Sequence, residues 1–229
     1  MKSVLNNPRS ELHALQPFGE GTSEVESLLS YFCRLAVSHS VSTLALSRSI
    51  AQRIERNLSP EFDWHQRRLA STCESAATWS AALSELTSVP NLDKLTFLPW
   101  KNVISRSGQS IVTRGQFCPS CFADDLALDR TPYFRLVWES AEVSVCSRHG
   151  CSLERHCPHC GKDNIRHASA YVIPGWCTSC GEFLGKAGAK ANHASIVPAA
   201  RWTARQMDEL IHAQQTLAST PTRDNFIHA

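Results

Sequence analysis

Eight of the ten cysteines in this chain fall between Cys118 and Cys180, and six of those stand as C-x-x-C pairs: Cys118/Cys121, Cys157/Cys160 and Cys177/Cys180. Two ligands separated by two residues fit one tight turn, whose backbone amides also hydrogen-bond the sulfurs, and two such turns complete the tetrahedron that zinc prefers. Cys157 and Cys160 pair with Cys177 and Cys180, because the intervening residues 161–176 give zinc-ribbon spacing. Gly161 and Gly181 follow the two pairs where a ligand turn needs a left-handed residue. Cys118 and Cys121 need two more ligands. Cys146 and His149 repeat the knuckle spacing and rank first, while Cys151, His156 and His159 compete for the role. The expectation is two structural zinc ions, since a region this rich in turns is too small to stabilise itself by a core alone.

Compartment and charge narrow the chemistry. "MKSVLNNPRS" lacks the apolar stretch of a secretory signal, and no run of about 18 apolar residues offers a membrane span. A cytoplasmic, reducing location follows, where paired cysteines hold metal more often than they form disulfides. A net charge of +2 argues against a protein that coats nucleic acid by electrostatics alone, so DNA contact must be local or shared with partners. There is no G-x-x-x-x-G-K-[ST] loop to hold ATP, no H-E-x-x-H, and no histidine opening the H-x-E of zinc deaminases. Closed four-ligand sites therefore fit better than a catalytic zinc with an open position or a redox C-x-x-C. Cys33 and Cys73 read as small core residues. Asp124, Asp125 and Asp129 read as a solvated acidic loop rather than a cation site.

The pattern elsewhere is helical, giving a mainly α chain with a small zinc-ribbon and β-hairpin region. Residues 1–22, with Pro8, Pro17, Gly19 and Gly21, form an irregular arm. Ser23 and Glu26 have capping-box spacing ahead of an apolar stripe at Val25, Leu28, Leu29, Phe32, Leu35 and Ala36. "SVSTLALSRSIAQRI" predicts a second helix with Leu44, Ile50 and Ile54 inward and Arg48, Arg53 and Arg56 outward. Ser59 and Pro60 open a further helical run through Leu69, and Trp79, Leu83 and Leu86 mark another that stops near Pro90. "NLDKLTFLPW" predicts a short helix and then an extended segment, and Arg106, Gly108 and Arg114 mark a polar connection. "YFRLVWESAEVSV" predicts a hairpin. Trp100, Trp138 and Trp176 flank and pack the metal region, and "RWTARQMDELIHAQQTL" predicts a last helix with Trp202, Met207, Leu210 and Ile211 on its apolar face. The resulting division is an arm (1–22), a helical domain (23–114), a two-site zinc domain (115–187) and a C-terminal helical segment with a frayed tail (188–229).

The order "ESLLSYFCRLA", "LDKLTFLPW", "FCPSCFADD" and "YFRLVWESAEVSVCSRHGCSLERHCPHCG" resembles the TniQ family of transposition proteins over roughly residues 8–185. The R-x-x-W of "RLVW" and the opening Glu26, Ser27 and Leu28 belong to that resemblance. It implies a non-catalytic target-selection adaptor that links target DNA, or a CRISPR effector complex with its guide RNA, to a transposon AAA+ ATPase. Ligand roles carry over to Cys118, Cys121, Cys146 and His149, and to Cys157, Cys160, Cys177 and Cys180. Many relatives continue into a longer C-terminal DNA-binding region, whereas this chain has one further helical stretch. It reads either as a short form that borrows its target reader or as a fragment. A free-standing zinc-ribbon DNA-binding regulator is the rival reading. Arg34, Arg48 and Arg53 are the candidate contacts with DNA or partner, the segment around Phe18 is another, and a homodimer is a further expectation.

Overall fold

A computed structural model describes residues 10–54, 69–103, 115–163, 166, 171–186 and 198–216. They form five helices: α1 (Leu28–Ser38), α2 (Thr43–Arg53), α3 (Glu74–Thr87), α4 (Pro119–Ala127) and α5 (Pro198–Thr216). Short 3-10 turns lie at Leu92–Leu95, Leu98–Trp100 and Leu136–Glu139. Strand pairing among the described residues is confined to isolated antiparallel bridges. The chain is thus mainly helical with two cysteine-rich clusters, as the sequence implies. Ser59, Pro60, Arg56, Arg106, Gly108, Arg114 and the terminal tail lie outside the described residues.

The first helix starts later than its capping-box spacing suggests. Ser27, not Ser23, is the N-cap, and its Oγ accepts the Ser30 amide at 3.2 Å. Glu26 cannot reach back to an amide at residue 23, because its buried carboxylate takes Arg34 Nε at 2.8 Å, Arg34 Nη2 at 2.6 Å and the Ser30 hydroxyl at 2.8 Å. Residues 25–27 are held extended instead: Leu136 N–H donates to Val25 O at 2.8 Å, and Ser27 N–H donates to Phe134 O at 2.9 Å.

A Schellman motif closes α1, with Val41 N–H donating to Ala36 O at 3.1 Å and Ser40 N–H to Val37 O at 2.9 Å. Ser40 takes the left-handed position, φ 56°, that glycine usually fills. Ser42 then caps α2 through Ala45 N–H at 3.0 Å. Leu46, Ile50 and Ala51 of α2 are buried and Arg48 and Arg53 point outward; Leu44 is only half-buried because Leu46 takes the inward position.

Trp79, Leu83 and Leu86 of α3 face inward as expected. The "NLDKLTFLPW" stretch is two successive 3-10 turns with no extended segment, because the Thr96 hydroxyl donates to Asp93 O at 2.6 Å and accepts Leu98 N–H at 3.0 Å. Against it lies α5, whose Gln214 Nε2 donates to Lys94 O at 2.7 Å and Thr96 O at 2.9 Å. This amide clasp sets the rotation of α5: Ala204 and Ile211 are buried, Met207 packs partly, and Trp202 is 65% exposed rather than on the inner face.

The hairpin expected in "YFRLVWESAEVSV" is instead a 3-10 turn over Leu136–Glu139, with Trp138 driven into the core. Phe122 stands at its centre, stacked on Phe117 at 5.4 Å and edge-on to Phe134 at 5.6 Å and Trp138 at 5.5 Å. One buried cluster runs from Val25 through the α1–α3 residues to Cys118, Cys146, Cys157 and Ile211, so the cysteines share their core with the helices. Cys33 belongs to that core, whereas Cys73 is exposed at the N-cap of α3. Trp100 is buried, and Trp176 is half-buried against Phe183.

From residue 10 onward the arm is already docked. Leu12 N–H donates to Leu86 O at 2.9 Å, the Tyr31 hydroxyl donates to Leu15 O at 3.0 Å, and Arg34 lies 3.8 Å over the Phe18 ring. His13 N–H donates to His39 Nε2 at 3.0 Å while the two rings stack at 3.9 Å. That nitrogen must be unprotonated to accept. Partial burial first, and the neighbouring His13 second, hold the His39 pKa below its ordinary 6.5. A folded-state pKa below the unfolded one means the contact contributes fully above the ordinary value and is lost as pH falls through and below it. The protection factor of the His13 amide, its exchange rate corrected for the intrinsic pH dependence, should accordingly fall between about pH 7 and about pH 5. His39→Ala should leave that amide unprotected at both ends of the range.

Candidate metal centres

The first cluster is assembled from the start of α4 and a tight turn that begins 25 positions after Cys121. Pro119 opens the helix at a position that needs no amide, and Cys118 is the N-cap, its Sγ accepting Cys121 N–H at 3.4 Å. On the other side Cys146 N–H donates to Cys151 O at 2.8 Å and Gly150 N–H to Cys146 O at 2.7 Å. That turn aims His149 N–H at Cys146 Sγ, 3.5 Å away. The ligand atoms of Cys118, Cys121, Cys146 and His149 all lie within 4.8 Å of one another. His149 Nδ1 is 3.5 Å from Cys118 Sγ, 3.3 Å from Cys121 Sγ and 3.6 Å from Cys146 Sγ, and Cys121 Sγ is 3.6 Å from Cys146 Sγ. A tetrahedral zinc thiolate with bonds of about 2.3 Å has sulfur–sulfur edges of about 3.8 Å, so these spacings suit a shared ion. A disulfide would need about 2.05 Å.

The surroundings of His149 explain why Nδ1 is the nitrogen that faces the sulfurs. Its Nε2 lies 3.0 Å from Asp124 Oδ2, and Asp124 is also held by Arg148 Nη2 at 3.0 Å. A carboxylate behind a ligating histidine fixes its tautomer and raises its basicity. Asp124 and Asp125 are therefore not a solvated loop: both sit on α4, and Asp125 is completely buried in a bidentate pair with Arg135, at 2.9 and 3.0 Å. Only Asp129 is exposed. Replacing Asp124 with Asn should weaken metal retention at this cluster by about 10–100-fold, read by competition with a chromophoric chelator, with little change in the fold.

The rivals for ligand roles are placed elsewhere. Cys151 Sγ approaches Cys118 Sγ at 3.4 Å but stands outside the four-atom group. His156 faces Asp163 at 3.0 Å on the surface, and His159 Nε2 lies 3.0 Å from Phe183 O.

The second cluster consists of two copies of one knuckle. Cys157 N–H donates to Lys162 O at 3.0 Å and Gly161 N–H to Cys157 O at 2.9 Å; Cys177 N–H donates to Glu182 O at 2.9 Å and Gly181 N–H to Cys177 O at 2.9 Å. Gly161 (φ 69°) and Gly181 (φ 77°) occupy the left-handed positions foreseen for them. The amides of His159 and Ser179 each reach the leading sulfur at 3.4 Å. Cys157 Sγ lies 3.7 Å from Cys180 Sγ, and Cys160 Sγ 3.8 Å from Cys177 Sγ, again the edges of a zinc tetrahedron. Cys157 and Cys177 are buried while Cys160 and Cys180 are exposed. Both clusters could hold a metal ion, and thiolate-rich four-donor sets suit zinc.

Of the three arginines singled out as contacts, Arg34 is locked beneath Phe18 in its pair with Glu26, and its side chain is 11% exposed. It is a structural residue, not a surface one. Arg53 pairs with Glu11 of the arm, and Arg48 is exposed. Sequence reasoning missed three residues that position the first cluster: Glu24, Asp125 and Arg135. Arg135 Nε reaches Glu24 at 2.9 Å, so one guanidinium ties the segment leading into α1, α4 and the 3-10 turn together. Of these, only Arg135 carried a signal, as the first residue of the R-x-x-W motif.

The class these features define is a mainly helical protein carrying two four-donor cysteine/histidine sites, one sunk in the helical core and one in a ribbon at its edge. A family model, TniQ, matches residues 17–153, more than half of the chain, and the chain belongs to the TniQ family. The match takes in the whole first cluster and ends just before Cys157. A comparison with curated proteins found no match. Among the described residues no helix is long and apolar enough to cross a membrane.

Proposed function

We propose that this chain is a non-catalytic transposition adaptor in the cytoplasm, linking target DNA or a target-bound complex to a transposon AAA+ ATPase and so selecting the insertion site. The observation that carries the reading is the TniQ match over residues 17–153, which is a transposition-associated family. The metal clusters agree with it: each offers four protein donors, a closed set in which zinc supplies structure. In each, the chain's own residues fix the donors, through the Asp124–His149 contact in one and the paired glycine turns in the other. Adaptor action requires only differential binding, since holding the ATPase at one place raises its local concentration there.

Co-sedimentation of the metal-loaded chain with the AAA+ ATPase encoded beside it, with ATP and DNA, tests this directly. Recruitment that depends on the chain supports the adaptor. Recruitment that also needs a neighbouring CRISPR effector identifies that complex as the target reader. Absence of recruitment under every condition, combined with salt-sensitive DNA binding by the chain alone, would replace the adaptor with a free-standing zinc-ribbon regulator.

A further inference from the structure

We infer that Cys151 is an oxidation site: hydrogen peroxide joins its sulfur to that of Cys118 in a disulfide and so takes a donor away from the first metal cluster. The inference goes beyond the adaptor reading and does not depend on it. Of the eight cysteines between Cys118 and Cys180, seven belong to the two four-donor groups and Cys151 does not. Yet its Sγ stands 3.4 Å from Cys118 Sγ, closer than the 3.6 Å between Cys121 and Cys146 or the 3.7 and 3.8 Å spacings of the second cluster. Backbone pairing fixes both ends of that contact. Phe117 and Glu154 exchange two hydrogen bonds, at 2.9 and 2.8 Å, immediately before Cys118, and Cys151 O accepts Cys146 N–H at 2.8 Å in the turn that carries His149. A disulfide needs its sulfurs about 2.05 Å apart, so the pair has little more than an ångström to close.

With metal in the cluster, the sulfurs of Cys118, Cys121 and Cys146 are bonded to it, and Cys151 keeps the one unbonded thiol of the group. It is also the most open of the four, 6% exposed beside the half-buried Gly150. Peroxide therefore meets Cys151 first. The O–O bond breaks, one oxygen stays on Cys151 as a sulfenic acid, and the other leaves as water. The Cys118 thiolate then attacks the oxidised sulfur: the S–S bond forms, the S–O bond breaks, and the hydroxide released takes a proton from solvent. The two sulfurs have lost two electrons and the peroxide has gained them. Only Cys121, Cys146 and His149 remain to hold the ion. Cys118 is 0% exposed at the N-cap of α4, so the change is felt where that helix enters the core. The second cluster has no such device, because each of its four thiols is a donor.

The test treats the metal-loaded full chain with a small excess of hydrogen peroxide, alkylates the remaining thiols under denaturing conditions and maps the disulfides by mass spectrometry of proteolytic peptides. A chromophoric chelator reads the metal released, and the identity of the oxidised cysteines assigns it to a cluster. The first disulfide formed at the helical cluster should join Cys118 to Cys151, and the metal of that cluster should be lost with it. A reducing thiol with added zinc should restore the parent. Cys151→Ser and Cys151→Ala should each take up metal like the parent, then keep both the Cys118 thiol and the first-cluster metal through the peroxide treatment. Cys73→Ser, which removes the exposed thiol ahead of α3, should behave as the parent does. A link from Cys118 to Cys121, or a Cys151 that stays reduced while the metal leaves, would overturn the inference. So would first-cluster metal lost as fast from both Cys151 variants as from the parent. Variants that fail to take up metal at the first cluster would make Cys151 part of the binding set, which also overturns it.

Discussion

Replacing Cys118 and Cys121 with serine should unfold the helices as well as empty the first metal cluster. The four donors are not an appendage: Cys118, Cys121 and Cys146 are 0%, 1% and 4% exposed and belong to the same buried cluster as Phe32, Leu83 and Ile211. A structural zinc site of this kind is worth on the order of 10–16 kcal/mol of apparent binding energy in small domains. Whole domains are stable by only about 5–15 kcal/mol. Losing the ion therefore removes as much as the fold possesses. The measurement is near-ultraviolet circular dichroism with zinc content: tertiary signal and metal should vanish together, and excess chelator at elevated temperature should do the same to the parent. The same exchange at Cys160 and Cys180 should be much milder, because both sulfurs are exposed at the ribbon's rim. One equivalent of metal and most of the tertiary signal should survive there. Loss of all structure from the rim variant would mean that the two clusters stabilise the fold as one unit.

Truncating Arg135 to alanine should cost about 3–5 kcal/mol. Its guanidinium is 1% exposed and bonds both oxygens of a completely buried Asp125, with Glu24 and the Tyr133 carbonyl as further partners. Removing it leaves a buried carboxylate whose nearest remaining cation is the half-exposed Arg130, 3.7 Å away. The signature that separates this cause from simple loss of packing is rescue: Arg135→Met combined with Asp125→Leu leaves no orphaned charge and should recover a large part of the loss. Urea unfolding at constant slope reads both values. If the double variant is as unstable as the alanine variant, the arginine acts through its packing against Tyr133 and Trp138, which lie 4.3 Å and 4.9 Å from its centre.

Local signals in the sequence were good guides wherever the physics is local. The C-x-x-C pairs with a following glycine are complete structural statements within five residues, and the ribbon forms as those residues dictate. The stripes of α1 and α3 were likewise legible, because a helix that must bury one face writes its period into the chain. What could not be read are the features that depend on distant partners. Ser23 has a capping-box glutamate at the right spacing, yet Glu26 is taken by Arg34 and the chain before Leu28 is pulled straight by Phe134 and Leu136. Asp125 looked like one of three surface acids, since nothing in its neighbourhood announces Arg135 ten positions on. The apolar residues of the last helix predict Trp202 on one face with Met207, Leu210 and Ile211, while Gln214 and Gln215 decide the rotation of α5 by clasping the backbone at Lys94 and Thr96. The sharp turn at Ser40 is a case between the two: a serine where glycine is customary hides a left-handed position that the closing hydrogen bonds of α1 make plain.

The extended pairing of residues 25–27 with Phe134–Leu136 has a consequence for how the protein is born. The partner of Ser27 is synthesised roughly a hundred residues later, and translation at about 5–20 residues per second leaves the N-terminal segment waiting on the order of ten seconds. During that interval α2 and α3 can already pack on α1, but residues 25–27 lack the backbone partners at Phe134 and Leu136 that hold them extended. The chain leading into α1 is therefore the last part of its surroundings to be tied down, and it is fixed only when the segment just ahead of Cys146 and His149 has been made.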